Sequence, residues 1–312
     1  MRRLLARNRA PDPDTPLGSK LLVAGWFSWA STGATAGDLL ARDVVSAWLD
    51  DAGIAHDVAD DPALGDGVDF RKVDPSDYGT VLFVCGPVGP HTPIKELLDR
   101  FPRARHIGLD LSMIPPLGEW NPFDELLERD STETARADVV FASPQRQVPV
   151  VAAVLVEPYT PEYPDADRQE DARHAALRLL ASRELAVIEV DTRLPVNESG
   201  LRTPAEVESA IARADVVVTT RLHGLVLALK NGVPVVAFDV VAGGAKIAKQ
   251  AGAIGWPHVL LPDDMTDEAA TAALDACLSE DGRRAARECA QRAAQQVEAI
   301  RAELLGLLEA PE

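Results

Sequence analysis

The chain has 312 residues, of which 31 are Lys or Arg and 49 are Asp or Glu, a formal charge of −18 with neutral histidine. That balance opposes nucleic acid and anionic lipid, both of which recruit cations, and no apolar run approaches the ~20 residues that span a bilayer. The length suits about two domains with cores large enough to stand without a disulfide or metal staple.

Residues 1–19, with Arg2, Arg3, Arg7 and Arg9 ahead of a Pro/Asp stretch, read as a mobile arm lacking the apolar centre of a secretory signal. From Lys20 short apolar runs alternate with amphipathic stretches, the pattern of a parallel sheet covered on both faces. In a first domain, 20–145, strands are expected at 21–27, 55–59, 80–85, 106–111 and 138–142. A helix is expected at 37–52, with Leu39, Leu40, Val44, Ala47 and Trp48 on one stripe. The polar stretch 143–148 marks the boundary.

In a second domain, 146–281, strands are expected at 148–156, 185–190, 215–219, 233–238 and 258–261. The intervening helices are at 170–181, 204–213, 222–231, 245–251 and 267–279. An Ala/Arg/Glu-rich helix over 282–312 packs back across the domains or makes an oligomer contact. The fold class is therefore α/β, two Rossmann-like domains facing a cleft, with ligands at the carboxyl ends of the strands. Cys85, Cys277 and Cys289 include no C-x-x-C pair, which fits a reducing cytoplasm.

The densest chemical signal is the run from Ala214 to Pro234, where a Val-rich strand enters Thr219-Thr220-Arg221-Leu222-His223-Gly224. Thr219 or Thr220 can cap a helix whose buried face is Leu222, Leu225, Val226 and Leu229. Arg221 and His223 then stand in its first turn, where cations oppose the helix dipole unless an anion completes the site. After the next strand, Gly243-Gly244 opens a helix carrying Lys246, and two glycines let backbone amides approach a phosphate. Arg193 follows another strand on the same edge. A structural ion pair is the competing reading for each cation, with Asp191 or Glu206 as the partner for Arg193.

Thr220-Arg221-Leu222-His223-Gly224, followed by Ala228-Leu229, Gly232-Val233-Pro234 and Lys246, resembles the signature of the polysaccharide pyruvyl transferase family. In the first half, Gly25 and Gly37-Asp38 resemble its glycine-rich first loop and Gly-Asp pair. The resemblance implies a glycosyltransferase-B-like fold and transfer of the enolpyruvyl unit of phosphoenolpyruvate to a sugar-type acceptor. The product is a pyruvate ketal, and neither metal nor cofactor is implied. The chain departs from the family at Cys85-Gly86-Pro87-Val88-Gly89-Pro90-His91, where a run of glycines is usual, and in a first loop without the usual asparagine.

A phosphate and a carboxylate on one small donor suit several cations and a glycine-rich helix start. On this reading His223 is the acid or base, Arg221 clamps an anionic group, and Arg193, Gly224, Gly243, Gly244 and Lys246 complete the donor site. Asp38 is a candidate base, or an N-cap; His91 and Asp110 are secondary candidates. Trp26, Trp29, Glu157, Tyr159 and Tyr163 are the acceptor-side candidates, although buried aromatics and a solvated loop are the stronger explanation of them. No metal-ligand spacing stands out. A nucleotide-sugar glycosyltransferase and a non-catalytic anion-binding homologue are the alternative functions. A homo-oligomer is compatible with all three.

Overall fold

In a computed structural model the chain divides into two compact units, Met1–Gln145 and Arg146–Glu312. The structure describes residues 17–29, 33–155, 165–194 and 196–309. The first unit contains β1 (Lys20–Gly25), α1 (Ala36–Asp51), β2 (His56–Val58), β3 (Tyr78–Val88), α2 (Ile94–Arg100), β4 (Arg105–Met113) and β5 (Glu125–Leu127). Its five strands pair in parallel in the order β2-β1-β3-β4-β5.

Alternation along β1 and β3 assigns the two faces of this sheet. Leu22, Ala24, Val81 and Phe83 enter one core with Phe70 and Trp29. Val23, Leu82 and Val84 enter another with Phe27, Ala41 and Val45. Both faces are covered, so the strands read as continuous apolar runs.

Two expectations are corrected here. The buried face of α1 is Ala41, Val44, Val45 and Leu49, while Leu40 and Trp48 lie 39% and 46% exposed. The small residues let the helix sit close to the sheet, and the bulky Trp48 falls outside. The stretch at 138–142 is a 3-10 turn over Val139–Ala142, because the Asp138 carboxylate accepts the Val140 N–H at 2.8 Å and closes the chain. The short β5 has no counterpart among the expected strands.

The second unit is a regular βα succession. It comprises β6 (Val150–Val154), α3 (Gln169–Ala181), β7 (Ala186–Glu189), α4 (Pro204–Ile211), β8 (Val216–Thr219), α5 (Leu222–Lys230) and β9 (Val235–Phe238). α6 (Lys246–Ile254), β10 (Val259–Leu260), α7 (Asp267–Leu278) and α8 (Glu280–Glu309) follow. Its parallel sheet is ordered β7-β6-β8-β9-β10, so both units place their second strand outside the first and build outward from the third. In each, strand order reverses beside the first strand, at β1/β3 and at β6/β8, the switch point where open α/β sheets take their ligands.

Val216, Val217 and Val218 are fully buried, as are Val235 to Phe238. Leu225, Ala228 and Leu229 seat α5 on them. α8 packs against α5, α6 and α7 of its own unit. Ala286 and Cys289 are buried there, and Arg292 and Gln296 donate to the Ile254 and Ala253 carbonyls at 3.1 and 2.9 Å, satisfying the end of α6. Among the described residues no helix is long and apolar enough to cross a membrane.

Candidate functional site

The carboxyl edge of the second sheet carries three short segments that follow β7, β8 and β9. After β8 the chain turns at once into α5, and the N-cap is Arg221 rather than Thr219 or Thr220. The Thr219 hydroxyl accepts the Arg221 N–H at 2.9 Å and donates to the Val154 carbonyl at 3.1 Å, which fixes the turn to β6. Gly224 is needed for this geometry: a Cβ there would lie 2.2 Å from Thr219 Oγ1 and 3.1 Å from Val154 Cγ1. Its role is to bring α5 close to the sheet.

The resulting corner leaves several polar groups without partners among the described residues. No side chain caps the first amides of α5. The Thr220 hydroxyl is buried with no hydrogen-bond partner among the described residues, an arrangement that ordinarily demands a ligand or water. Arg221 is half-buried, and its Nη1 donates to Thr192 Oγ1 at 3.3 Å; among the described residues no carboxylate forms an ion pair with it. Burial depresses its pKa, nearby Asp191 opposes this and nearby Arg193 adds to it, but a guanidinium stays cationic under all biological conditions. His223, on the next exposed position, has no hydrogen-bond partner among the described residues.

The segment after β7 is a hydrogen-bonded loop. Asp191 is 7% exposed, and its carboxylate accepts Arg193 Nη2 at 2.9 Å and Nε at 3.1 Å. Burial pushes this carboxyl up, but the hydrogen bonds and charge of Arg193 outweigh it and hold the pKa below the ordinary value. Arg193 is thus engaged by Asp191, the ion pair entertained for it from sequence. Beside the pair opens a cleft of about 780 Å³, lined by Leu155, Arg173, Leu180, Val187, Asp191 and Arg193 among others.

The segment after β9 differs from expectation. Gly243 and Gly244 have φ of +75° and +82°, a left-handed pair suited to glycine. The N-terminus of α6 that they open is already occupied by Asp239, 1% exposed. Its carboxylate accepts the amides of Ala245 and Ala248, each at 2.9 Å, and of Val241 at 3.1 Å. The protein places its own carboxylate at this helix start, where a bound phosphate was expected, and Gly243, Gly244 and an exposed Lys246 lie beside it. An Asp ending an apolar strand shortly before a Gly-Gly helix start is the signal that could have revealed this.

In the first unit, Trp29 is a core ring. It is 4% exposed, packs edge-on against Phe70 and donates Nε1 to Glu96 at 2.9 Å. Trp26 is half-buried over Gly86, where any Cβ would meet its indole at 2.0 Å. Asp38 completes a capping box with Thr35, accepting both its N–H and its hydroxyl at 2.8 Å. Glu157, Tyr159 and Tyr163 lie outside the described residues.

The first unit also holds a cluster without sequence spacing. Cys85 and Asp110 stand opposite one another on β3 and β4, between the pairs Val84/Leu109 and Gly86/Leu111. They adopt φ of 64° and 60°, costing about 1–3 kcal/mol each for non-glycine residues. With Asp138 they place one thiol and two carboxylates within 4.8 Å of one another. Burial first, then the Asp138 charge, raises Asp110 to about 6. Burial and the three neighbouring Asp side chains push the Cys85 thiol up to about 12, so it is no nucleophile at neutral pH. Arg129 donates to Asp138 at 2.8 Å and lies 4.0 Å from the Cys85 sulfur. The cluster thus has an internal cation, which argues against a metal ion there.

No curated protein matches the chain. Among solved structures it is similar to the glycotransferase of kitacinnamycin, at 13% identity over 95% of this chain and 100% of that one, with a TM-score of 0.35. Spinosyn rhamnosyltransferase SpnG complexed with thymidine diphosphate is 12% identical over 88% of this chain and 95% of that one, TM-score 0.34. Spinosyn forosaminyltransferase SpnP is 12% identical over 88% and 94%, TM-score 0.33. Residues 138–240, which contain Asp191, Arg193, Thr220, Arg221, His223 and Asp239, match the polysaccharide pyruvyl transferase family model.

Proposed function

We propose that the chain transfers the enolpyruvyl unit of phosphoenolpyruvate to hydroxyls of a sugar-type acceptor, closing a pyruvate ketal and releasing phosphate. The observation that carries this reading is Arg221, a half-buried guanidinium at the carboxyl end of β8, with no ion-pairing carboxylate among the described residues. It stands beside uncapped helix amides and an unpartnered buried hydroxyl, Thr220. The family match over these same residues supports it.

On this reading Arg221 and the first amides of α5 bind the anionic groups of the donor, and the Thr220 hydroxyl completes the contact. A proton added to the vinyl carbon makes C2 electrophilic. An acceptor hydroxyl oxygen then bonds to C2 and gives up its proton. The C2–O bond to phosphorus breaks with its electron pair leaving on phosphate, and a second hydroxyl bonds to C2, its proton passing to phosphate. His223, with both ring nitrogens unengaged by described residues, serves one of these proton transfers, a contribution of about 10²–10⁴-fold. The guanidinium and helix amides stabilise the departing phosphate.

Thermal-shift measurements with phosphoenolpyruvate, pyruvate and nucleotide diphosphates test the reading. Stabilisation of the parent chain by phosphoenolpyruvate, lost in Arg221→Ala, is the expected result. Stabilisation by nucleotide diphosphates alone would favour a nucleotide-sugar donor. Tight binding of phosphoenolpyruvate with no phosphate released in any acceptor pool would point to a binding protein.

A further inference from the structure

We propose that Asp191 is a specificity-determining residue of this site: by holding Arg193 in a fork it cancels one of two neighbouring guanidinium charges, leaving Arg221 to grip a phosphate group weakly enough to release it. The inference rests on the donor reading only for the source of that phosphate.

Asp191 is built in as a hub. Its N–H donates to Ser199 Oγ at 2.8 Å, and Asn197 Nδ2 donates to the carbonyls of Asp191 and Arg193, both at 2.7 Å. Asn197 Oδ1 accepts the Leu201 N–H at 2.9 Å, closing the loop on itself. Asp191 also accepts the Arg193 N–H at 2.9 Å in addition to the side-chain fork. Between them, Thr192 offers its hydroxyl to Arg221. One hydrogen-bonded segment therefore carries a carboxylate, a guanidinium and the hydroxyl that aims the second guanidinium.

A buried carboxylate beside an anion site weakens every anion that binds there, so its presence needs a reason. The donor carries a phosphate and a carboxylate, whereas the leaving product carries phosphate alone. Two uncompensated guanidinium groups would hold both more strongly, free phosphate included. With Arg193 cancelled, retention depends on contacts that recognise the whole donor, and free phosphate departs. Charge accounting gives a test with opposite signs for the two partners.

Binding of inorganic phosphate and of phosphoenolpyruvate is measured by calorimetry at low and high salt for the full chain, Asp191→Asn, Arg193→Gln and the double variant. Asp191→Asn is expected to bind inorganic phosphate more tightly, by on the order of tenfold, with steeper salt dependence. Arg193→Gln is expected to weaken it by a similar factor, and the double variant to return near the parent. Should Asp191→Asn not fold, Arg193→Gln and the double variant decide by themselves, since the second restores what the first loses. Equal weakening in both single variants, or no change in either, overturns the proposal and leaves the pair a scaffold. If the opposite signs hold while phosphoenolpyruvate fails to bind the parent chain, the donor reading falls and the Asp191 assignment stands.

Discussion

The Thr192 hydroxyl and the Arg221 guanidinium meet at 3.3 Å, tying the loop after β7 to the N-cap of α5. Replacing Arg221 by Ala should therefore remove the principal cation of the site while leaving the fold intact. Loss of one charged partner typically weakens binding by about 2–5 kcal/mol, roughly 30-fold or more. Arg221→Lys should recover only part, because an ammonium cannot reproduce the fork. Calorimetric titration with phosphoenolpyruvate checks both, and equal affinity of Arg221→Ala and the parent would remove Arg221 from the site.

Gly224→Ala should destabilise the second unit. Its Cβ would meet Thr219, itself fully buried and hydrogen-bonded to Val154, so neither neighbour has room to yield. Overpacking of this kind costs about 1–3 kcal/mol. A thermal melt lowered by several degrees is expected, and an unchanged melt would show that α5 can shift outward.

Asp239→Ala removes the acceptor for two amides at the start of α6 and for that of Val241 in the loop before it. The expected loss is about 1–3 kcal/mol, that of a buried cap with unsatisfied donors left behind. Faster hydrogen exchange at Ala245 and Ala248 would localise the effect to that helix end.

Stability should depend on pH through Asp110. Its folded pKa of about 6, raised by burial and by Asp138, exceeds the unfolded value near 3.9, so the folded chain holds the proton more firmly. The associated stability is fully present below about pH 4 and is lost as pH rises through about 6. The shift corresponds to about 3 kcal/mol. Urea unfolding of the parent and of Asp110→Asn at pH 4.5 and 7.5 measures it. The parent should lose stability relative to the variant at the higher pH, and a pH-independent difference would show that Asp110 does not titrate in this range.

Much of the second unit is legible in the sequence because local and global signals agree there. The Val-rich run into Thr219 can only be a buried strand, and Leu225 and Leu229 fall on the inner face of α5 at helical spacing. Arg221 and His223 then stand at the strand end by chain order alone. The role of Asp239 is less legible in the sequence because its partners are backbone amides up to nine residues later. The pairing of Cys85 with Asp110 depends on the register of β3 and β4, which no local pattern reports. In α1, composition misleads: Trp48 is apolar, but the face turned to the sheet is Ala41, Val44, Val45 and Leu49.

Proton NMR of phosphoenolpyruvate incubated with the parent chain and a glycan acceptor tests the central claim most directly. Pyruvyl transfer predicts decay of the vinyl signals, growth of a ketal methyl singlet and stoichiometric phosphate, all abolished in Arg221→Ala. Persistent vinyl signals in a mixture where a nucleotide sugar is instead consumed would contradict it.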